Sequence, residues 1–223
     1  MRRLAAGAVF LLVTATACSG SSSGDQPVGD RLSAAKQSFD EATYISFELS
    51  SQNLPGDVNA LESAHGTGTH DPAFTGEIQV HRGLSFSAPI VAVGGKVYAK
   101  LPFVSWSEIN PSDYGAPDPA RLMDRSTGLS SLLTDTLDPR LDGSERSGSA
   151  VLTKVTGSLP GKDVHALFPS AAETPFRVVY LLTDDDNLRS VSMTGPFYGD
   201  NGDGTYSIDF DLSADPVDIS PPD

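Results

Sequence analysis

Histidine and cysteine, the side chains typical of zinc sites and of proton transfer near neutral pH, are few in this 223-residue chain. Its four histidines are His65, His70, His81 and His165. No two of them have the HExxH spacing of a zinc protease, and the single cysteine, Cys18, is far from all of them in sequence. We therefore expect the histidines to face solvent or to lie in the core, with no metal and no other cofactor.

A nucleophilic serine would require a sharp turn of the type Gly-x-Ser-x-Gly. The nearest match in this chain is Gly128-Leu129-Ser130-Ser131-Leu132, which lacks the second glycine. It also lies in a segment whose leucines have helical spacing. The sequence therefore argues against a serine hydrolase, and no catalytic residues are expected.

The run Gly-Asp-Asn-Gly-Asp-Gly at 199–204 has the composition of a calcium loop. An EF-hand loop needs acidic side chains at its first, third and fifth positions and a glutamate at its twelfth. Here the third position is Gly202 and the twelfth is Asp211. A hairpin loop built on Asn-Gly and Asp-Gly is the favoured interpretation.

The position of Cys18 suggests a chemical role. Arg2 and Arg3 precede ten apolar residues at 4–13, and small residues at 15–17 lead to the cysteine, as in a lipoprotein export signal. Ten apolar residues are too few to span a bilayer, so we expect a removable signal. The position of the single cysteine directly after the small residues predicts cleavage before Cys18 and lipid on its thiol. Lipoprotein signals usually carry leucine three residues before the cysteine, where this chain has Ala15. An ordinary signal peptide beside an incidental cysteine is the alternative.

The remaining chain divides into a tether and one domain. Residues 18–29 are rich in serine and glycine, which predicts a flexible tether, and residues 30–223 are long enough for a single core. The net charge of the whole chain is −14. Such an acidic balance argues against nucleic acid as a partner and against a polybasic contact with a membrane surface.

The apolar spacing of the domain predicts an α+β fold with one antiparallel sheet. Helical spacing favours helices at 30–43, 126–137 and 162–168. A loop is expected at 106–117, after which Asp118 and Pro119 begin a helical turn. Period-two alternation predicts about nine strands, near residues 45–49, 61–70, 74–80, 84–93, 96–101, 151–155, 175–183, 188–194 and 206–212.

Several short motifs, in order and spacing, carry a resemblance to a known family. They are Ser46-Phe47-Glu48-Leu49, Leu54-Pro55-Gly56, Gly94-Gly95-Lys96-Val97-Tyr98-Ala99-Lys100-Leu101, Trp106-Ser107, Asp118-Pro119-Ala120-Arg121-Leu122, Thr127-Gly128-Leu129, and an ending with Val217, Pro221 and Pro222. Over residues 30–222 the chain resembles the actinobacterial LppX/LprA/LprF/LprG lipoproteins. That resemblance implies a bent antiparallel half-barrel sheet with helices on its concave face, similar to the LolA and LolB carriers, enclosing an apolar cavity for acyl chains.

Strand parity selects the residues expected to line such a cavity, although pattern alone does not distinguish a cavity from a filled core. Nine are predicted from the sheet and three from the helix at 126–137. They are Phe47, Leu49, Ile78, Val80, Phe86, Val91, Val93, Val178 and Tyr180 from strands, and Leu129, Leu132 and Leu133 from the helix.

The leading hypothesis is a lipoprotein that is not an enzyme. It would be anchored through Cys18 to the outer face of the cytoplasmic membrane and would carry multi-acyl lipids or glycolipids across the periplasm. The alternative is an envelope adaptor that docks on a membrane transporter or a cell-wall assembly without carrying lipid. A transporter partner is compatible with either hypothesis.

Overall fold

The computed structural model describes residues 26–101 and 103–222. The predicted signal peptide, Cys18 and residues 19–25 of the predicted tether lie outside the described residues. The first helix begins at Val28, two residues before the predicted start of the domain.

The described strands form one open antiparallel sheet, in the order β6-β5-β4-β3-β2-β1-β11-β10-β9-β8-β7. The sheet consists of two meanders that join where β1 pairs with β11, with Phe47 opposite Phe210. The strands are β1 (Ile45–Gln52), β2 (Ala60–Thr69), β3 (Ala73–Arg82), β4 (Leu84–Val93), β5 (Lys96–Ala99), β6 (Ser107–Ile109), β7 (Leu137–Ser147), β8 (Ala150–Leu159), β9 (Phe176–Leu182), β10 (Leu188–Gly195) and β11 (Gly204–Asp211).

Within the described residues, three α-helices accompany the sheet: α1 (Val28–Glu41), α2 (Ser131–Asp135) and α3 (Gly161–Leu167). Helix α1 buries Leu32, Ala35 and Phe39, the residues whose helical spacing predicted it. We call residues 110–124 the strap; it contains two 3-10 turns, Pro111–Tyr114 and Arg121–Met123. The predicted α+β half-barrel fold is confirmed.

The predicted helix at 126–137 is wrong in length. Only Ser131–Asp135 is α-helical, and the chain is extended from Thr136 onward. Asp138, which has a φ of 48°, precedes Pro139, and a residue before proline is disfavoured in a helix. The leucine spacing nevertheless marked buried residues, because Leu129, Leu132 and Leu133 are all buried.

Strand β7 was missed altogether. Nearly all of its residues are exposed, so neither of its faces carries an apolar alternation that sequence reasoning could detect. The expected loop at 106–117 is also more ordered than predicted, since it contains β6 and the first 3-10 turn of the strap.

Candidate functional site: an apolar pocket under the strap

An apolar pocket lies between the first meander of the sheet and the strap. Its volume is about 20 Å³, which is room for about one water molecule. The hydroxyl of Tyr114 is the one side-chain polar group in the lining of this pocket. The lining comprises Phe47, Leu49, Leu61, Ala64, Phe74, Ile78 and Ile90 from the sheet, and Ile109, Pro111, Tyr114, Ala116, Pro117, Pro119 and Leu122 from β6 and the strap.

Glycines shape the sheet side of this pocket. The ring of Phe74 lies over Gly66 and Gly76, where a Cβ atom would come within 2.7 Å of it. A Cβ on Gly68 would likewise meet the side chain of Met123 from the strap. The rings of Phe74 and Phe47 stack with centroids 5.2 Å apart. The three glycines therefore let an aromatic pair and the end of the strap sit close to the strands.

The strap is held at one end by His70, which is buried directly after β2. Its Nδ1 lies 2.6 Å from the carbonyl oxygen of Met123, and its Nε2 lies 2.8 Å from that of Phe39 in α1. A carbonyl oxygen only accepts, so both contacts are hydrogen bonds at once when both ring nitrogens carry protons. His70 thus joins the strap to the last turn of α1.

A pair of tyrosines holds the middle of the strap. The Tyr198 hydroxyl donates to the carbonyl oxygen of Gly115 at 3.1 Å and lies 2.6 Å from the Tyr206 hydroxyl. The Tyr206 hydroxyl also reaches the carbonyl oxygen of Leu61 at 2.6 Å. Burial raises the pKa of both phenols above the ordinary value, so they act as neutral hydrogen-bonding groups.

Two weaker contacts complete the attachment of the strap. The Arg82 guanidinium lies 5.4 Å from the centroid of the Tyr114 ring, a cation–π contact at the end of β3. The Asn59 amide donates to the carbonyl oxygen of Asp113 at 3.3 Å. Exposed contacts of this kind contribute little stability.

A polar vestibule of about 380 Å³ adjoins the pocket. The two spaces share Ile109, Pro111 and Ala116, so the strap forms a wall of both. The vestibule also reaches α3 through Leu167. Its polar side chains are Lys96, Glu108, Asn110, Ser112, Asp118 and Arg121.

The second meander, in contrast, is filled. Phe197 meets the rings of Phe168, Phe176 and Tyr206 edge-on at centroid distances of 5.3, 4.8 and 4.7 Å. Such contacts are the preferred geometry of aromatic pairs. Helix α1 is fastened over the same half by a buried ion pair between Arg31 Nε and Asp186 Oδ1 at 2.5 Å.

The pocket brings together three of the predicted lining residues, Phe47, Leu49 and Ile78. Val80 and Phe86 share their face of the sheet, since Val80 pairs with Phe86 and Ile78 with Ala88. Val80 is buried and Phe86 packs half-buried against the core, but neither lines the pocket.

Two predicted residues, Val91 and Val93, lie on the opposite face, and their assignment to the lining face is corrected. They pair with Thr75 and Ala73, whereas the inward Phe74 pairs with Ala92. Strand β4 is apolar on both faces, so parity was ambiguous there. Val93 lines a surface groove together with Val217 and Ile219 of the C-terminal segment.

The other five predicted residues pack in the filled half or under α2. Val178 and Tyr180 are each 1% exposed in β9. The Tyr180 hydroxyl donates to the carbonyl oxygen of Leu132 at 3.1 Å and so caps the short helix, and burial raises its pKa. Leu129, Leu132 and Leu133 are buried around α2 and do not line the pocket.

Sequence reasoning missed most of the pocket wall that the strap contributes. Proline and alanine at 111, 116, 117 and 119 carry no periodic signal, because the strap is irregular. The clue available was composition: four of the nine residues 111–119 are proline or alanine. An apolar loop is a candidate for burial, because loops normally run exposed over a surface.

Some of the groups weighed for catalysis and metal binding make internal hydrogen bonds in the described residues, and others are exposed. Ser130 is buried and donates to Asp40 Oδ1 at 2.7 Å, which ties α2 to α1. His165 Nδ1 lies 2.6 Å from the carbonyl oxygen of Ala171, and His65 is exposed. Within residues 26–101 and 103–222 no three His, Cys, Asp or Glu side chains cluster as metal ligands would. Residues 199–203 lie in the connection between the paired strands β10 and β11, and Gly204 begins β11.

None of the helices in the described ranges is both long enough and apolar enough to span a membrane.

Comparison with known proteins identifies a family and relatives that are similar to this chain. The profile of the LppX_LprAFG lipoprotein family matches residues 30–219. Relatives named lipoarabinomannan carrier protein LprG, from Mycobacterium bovis (strain BCG / Pasteur 1173P2) and Mycobacterium tuberculosis (strain ATCC 25618 / H37Rv), are each 29% identical over 165 residues. The match covers 70% of this chain and 70% of each relative.

Solved structures share the fold. The crystal structure of LprF from Mycobacterium bovis matches with a TM-score of 0.71 at 15% identity, covering 87% of this chain and 96% of that one. The Mycobacterium tuberculosis lipoprotein LppX matches with a TM-score of 0.64 at 18% identity, covering 86% and 98%. At these identities the likeness establishes the architecture.

Proposed function

The chain belongs to the LppX_LprAFG lipoprotein family, and we propose that it binds the acyl chains of lipids or glycolipids in the apolar pocket under the strap. It is a carrier and not an enzyme, and it moves such lipids across the periplasm towards the outer envelope. The observation that carries the proposal is the lining: fourteen residues of which the Tyr114 hydroxyl is the one polar side-chain group.

The energetics suit a carrier. Each methylene group of an acyl chain costs about 0.8 kcal/mol to expose to water, so a sixteen-carbon chain faces roughly 12 kcal/mol. A lipid with two or three such chains cannot cross an aqueous compartment unaided at a useful rate. An apolar protein pocket replaces the bilayer interior as the solvent for those chains.

A pocket of about 20 Å³ holds no acyl chain. Binding therefore requires the strap to move away from β1–β4 while the sheet stays intact. The strap suits this motion, because it is irregular and is attached through His70, the tyrosine pair and exposed polar contacts. Elements that move on binding come from the least stable parts of a fold.

The polar vestibule supports a second part of the proposal, a place for the headgroup. It adjoins the pocket through Ile109, Pro111 and Ala116, so a lipid with its chains in the pocket presents its polar end there. Arg121 and Asn110 offer donors to sugar or phosphate oxygens, and Asp118 offers an acceptor to sugar hydroxyls.

Anchoring through Cys18 completes the proposed cycle. A lipid-modified Cys18 would keep the domain at the extracytoplasmic face of the cytoplasmic membrane, within reach of its cargo. Known relatives carry names consistent with such a role, since LprG is named a lipoarabinomannan carrier protein.

Extraction of bound lipid tests the proposal. The full chain is purified, extracted with organic solvent and analysed by mass spectrometry for non-covalent acyl lipids, in parallel with Ile78→Trp and Val151→Trp variants. Ile78 lines the pocket, whereas Val151 is 46% exposed on β8 and serves as the control. We expect lipid with the parent chain and with Val151→Trp, and much less with a folded Ile78→Trp. Equal lipid content in all three, or none in any, contradicts the proposal.

A further inference from the structure

Three large apolar side chains are strongly exposed in two neighbouring loops of the first meander. Leu84 is 81% exposed at the turn between β3 and β4, and Phe103 and Val104 are 109% and 51% exposed in the connection between β5 and β6. We call Leu84, Phe103 and Val104 the apolar tips. Exposing side chains of this size to water is unfavourable, so binding of a partner that covers them is favoured.

The register places the apolar tips at one end of the sheet. Arg82 pairs with Leu84 where β3 turns into β4. Strand β5 runs antiparallel to β4 with Ala99 opposite Ile90, and the Lys100 amide donates to the carbonyl oxygen of Pro89. The chain beyond Lys100 therefore emerges towards the end of β4 that carries Leu84.

The charge around the tips differs from that of the whole chain. The net charge of the chain is −14, whereas the charged side chains within residues 82–87 and 99–107 are Arg82 and Lys100, both positive and exposed. One carboxylate lies nearby, because Glu62 accepts a hydrogen bond from the Ser85 hydroxyl at 2.7 Å. An acidic protein is repelled by an anionic bilayer, so an apolar patch flanked by basic side chains favours one orientation of approach.

The tips also adjoin the covered pocket. The Arg82 guanidinium lies 5.4 Å from the centroid of the Tyr114 ring, and Tyr114 lines the pocket from the strap. On the same strand as Leu84, Phe86 packs half-buried against the core. A partner that engages Leu84 thus lies two residues along the chain from Arg82, which contacts the strap through Tyr114.

We infer that the apolar tips, flanked by Arg82 and Lys100, form a docking surface for an anionic lipid bilayer. Side chains at loop ends insert between headgroups without needing a broad flat interface, and basic neighbours meet the lipid phosphates. This contact is separate from the covalent anchor and does not depend on the pocket holding a lipid.

Trp106 provides an internal reporter for the test. It is the single tryptophan of the chain, it is half-buried, and it lies in the same connection as Phe103. The full-length lipidated chain is placed on vesicles of phosphatidylcholine and phosphatidylglycerol that contain phosphatidylcholine brominated near the headgroup. The covalent anchor keeps every variant on the vesicle, so quenching of Trp106 reports only whether the tips touch the bilayer.

The test variant is Leu84→Ser with Phe103→Asn, because asparagine accepts the φ of +64° at position 103. The control is Leu141→Ser with Val151→Ser, two residues 45% and 46% exposed at the far edge of the sheet. We expect quenching in the parent chain and the control, its loss in the test variant, and weaker quenching in vesicles of phosphatidylcholine alone.

An unquenched Trp106 in the parent chain, or equal quenching in both variants, overturns the inference and points to a protein partner for the tips. Circular dichroism confirms that each variant is folded. Because the assay does not require bound cargo, its failure leaves the lipid-extraction result standing, and the reverse also holds.

Discussion

The two meanders of this sheet present the same kind of apolar face to very different covers. Over β8–β11 the cover is α1 and α3, locked by four interleaved aromatic rings and a buried ion pair. Over β1–β4 the cover is the strap, which has no α-helix and rests on an almost closed apolar pocket. We propose that the cover of the second half is fixed and that the cover of the first half can be displaced. The contrast between the halves thus lies in what covers the sheet.

The largest contrast is expected from removing an aromatic ring in each half. Phe197 is 1% exposed and touches three other rings, so Phe197→Ala should lower the free energy of unfolding by about 3–5 kcal/mol. Phe47→Ala, beside the pocket, should cost about 2 kcal/mol, because a displaceable strap, as proposed, can collapse into the space. Urea unfolding followed by circular dichroism measures both. Equal losses would show that the strap is as rigid as the helices.

Overfilling each half gives the next contrast. Val178→Trp has no room in the filled half and should destabilise the fold by about 3 kcal/mol, or prevent folding. Ile78→Trp enters the pocket and displaces the strap, so its cost should stay near 1 kcal/mol. Thermal unfolding of the two variants is the measurement. An Ile78→Trp chain that unfolds as readily as Val178→Trp would indicate a packed core in place of a pocket.

Loosening the strap should have a smaller effect on the whole molecule. His70→Ala removes the ring that contacts the carbonyl oxygens of Met123 and Phe39 and should cost about 1–3 kcal/mol. Its signature is local: amides at 111–124 should exchange hydrogen faster, while those of β9–β11 keep their relative protection. The control is His165→Ala, which removes a similar ring-to-carbonyl contact in the filled half. Uniformly faster exchange across both halves would contradict this prediction.

The smallest effect concerns the end of the strap and its pH dependence. Hydrogen bonds, first from the Ser126 hydroxyl and then from the backbone amides of Thr127 and Ser126, hold the pKa of Asp124 well below its usual 3.8. A lowered pKa stabilises the fold above the unfolded-state value, and that stabilisation is lost as pH falls towards the folded-state value. Asp124→Ala should therefore cost about 0.5–1 kcal/mol at pH 7 and less below pH 3.8. The check is urea unfolding of both chains at pH 7 and pH 3; an unchanged gap would reject the argument.

The filled half of the sheet, β8–β11, was easier to predict from the sequence than the half under the strap. Strict alternation at Tyr206, Ile208 and Phe210 identified β11, and the spacing of Leu32, Ala35 and Phe39 identified α1. Periodicity works where one face of a regular element is buried. The strap is irregular and β7 has no buried face, so both escaped that signal. Strand β4 was predicted at the right residues, but Val91 and Val93 were assigned to the wrong face because β4 is apolar on both faces.

The family motifs anticipated the architecture that periodicity left open. The Asp118-Pro119 turn and the segment 94–101 fall in the strap and at the β4–β5 hairpin, the parts that carry the pocket wall and the vestibule. Which side chains face the pocket depended on register, and register is set by the pairing of strands distant in sequence, such as β1 with β11.

Cross-linking with a photoreactive lipid tests the central claim most directly. A phospholipid with a diazirine in its acyl chain is added to the chain, activated by light, and the modified peptides are mapped by mass spectrometry. We predict modification at the strap and at β1–β4, around Phe47, Ile78 and Leu122, with β8–β11 unmodified. Modification of β8–β11 instead, or no modification above that of a denatured control, would contradict the assignment of the first meander as the lipid-binding half.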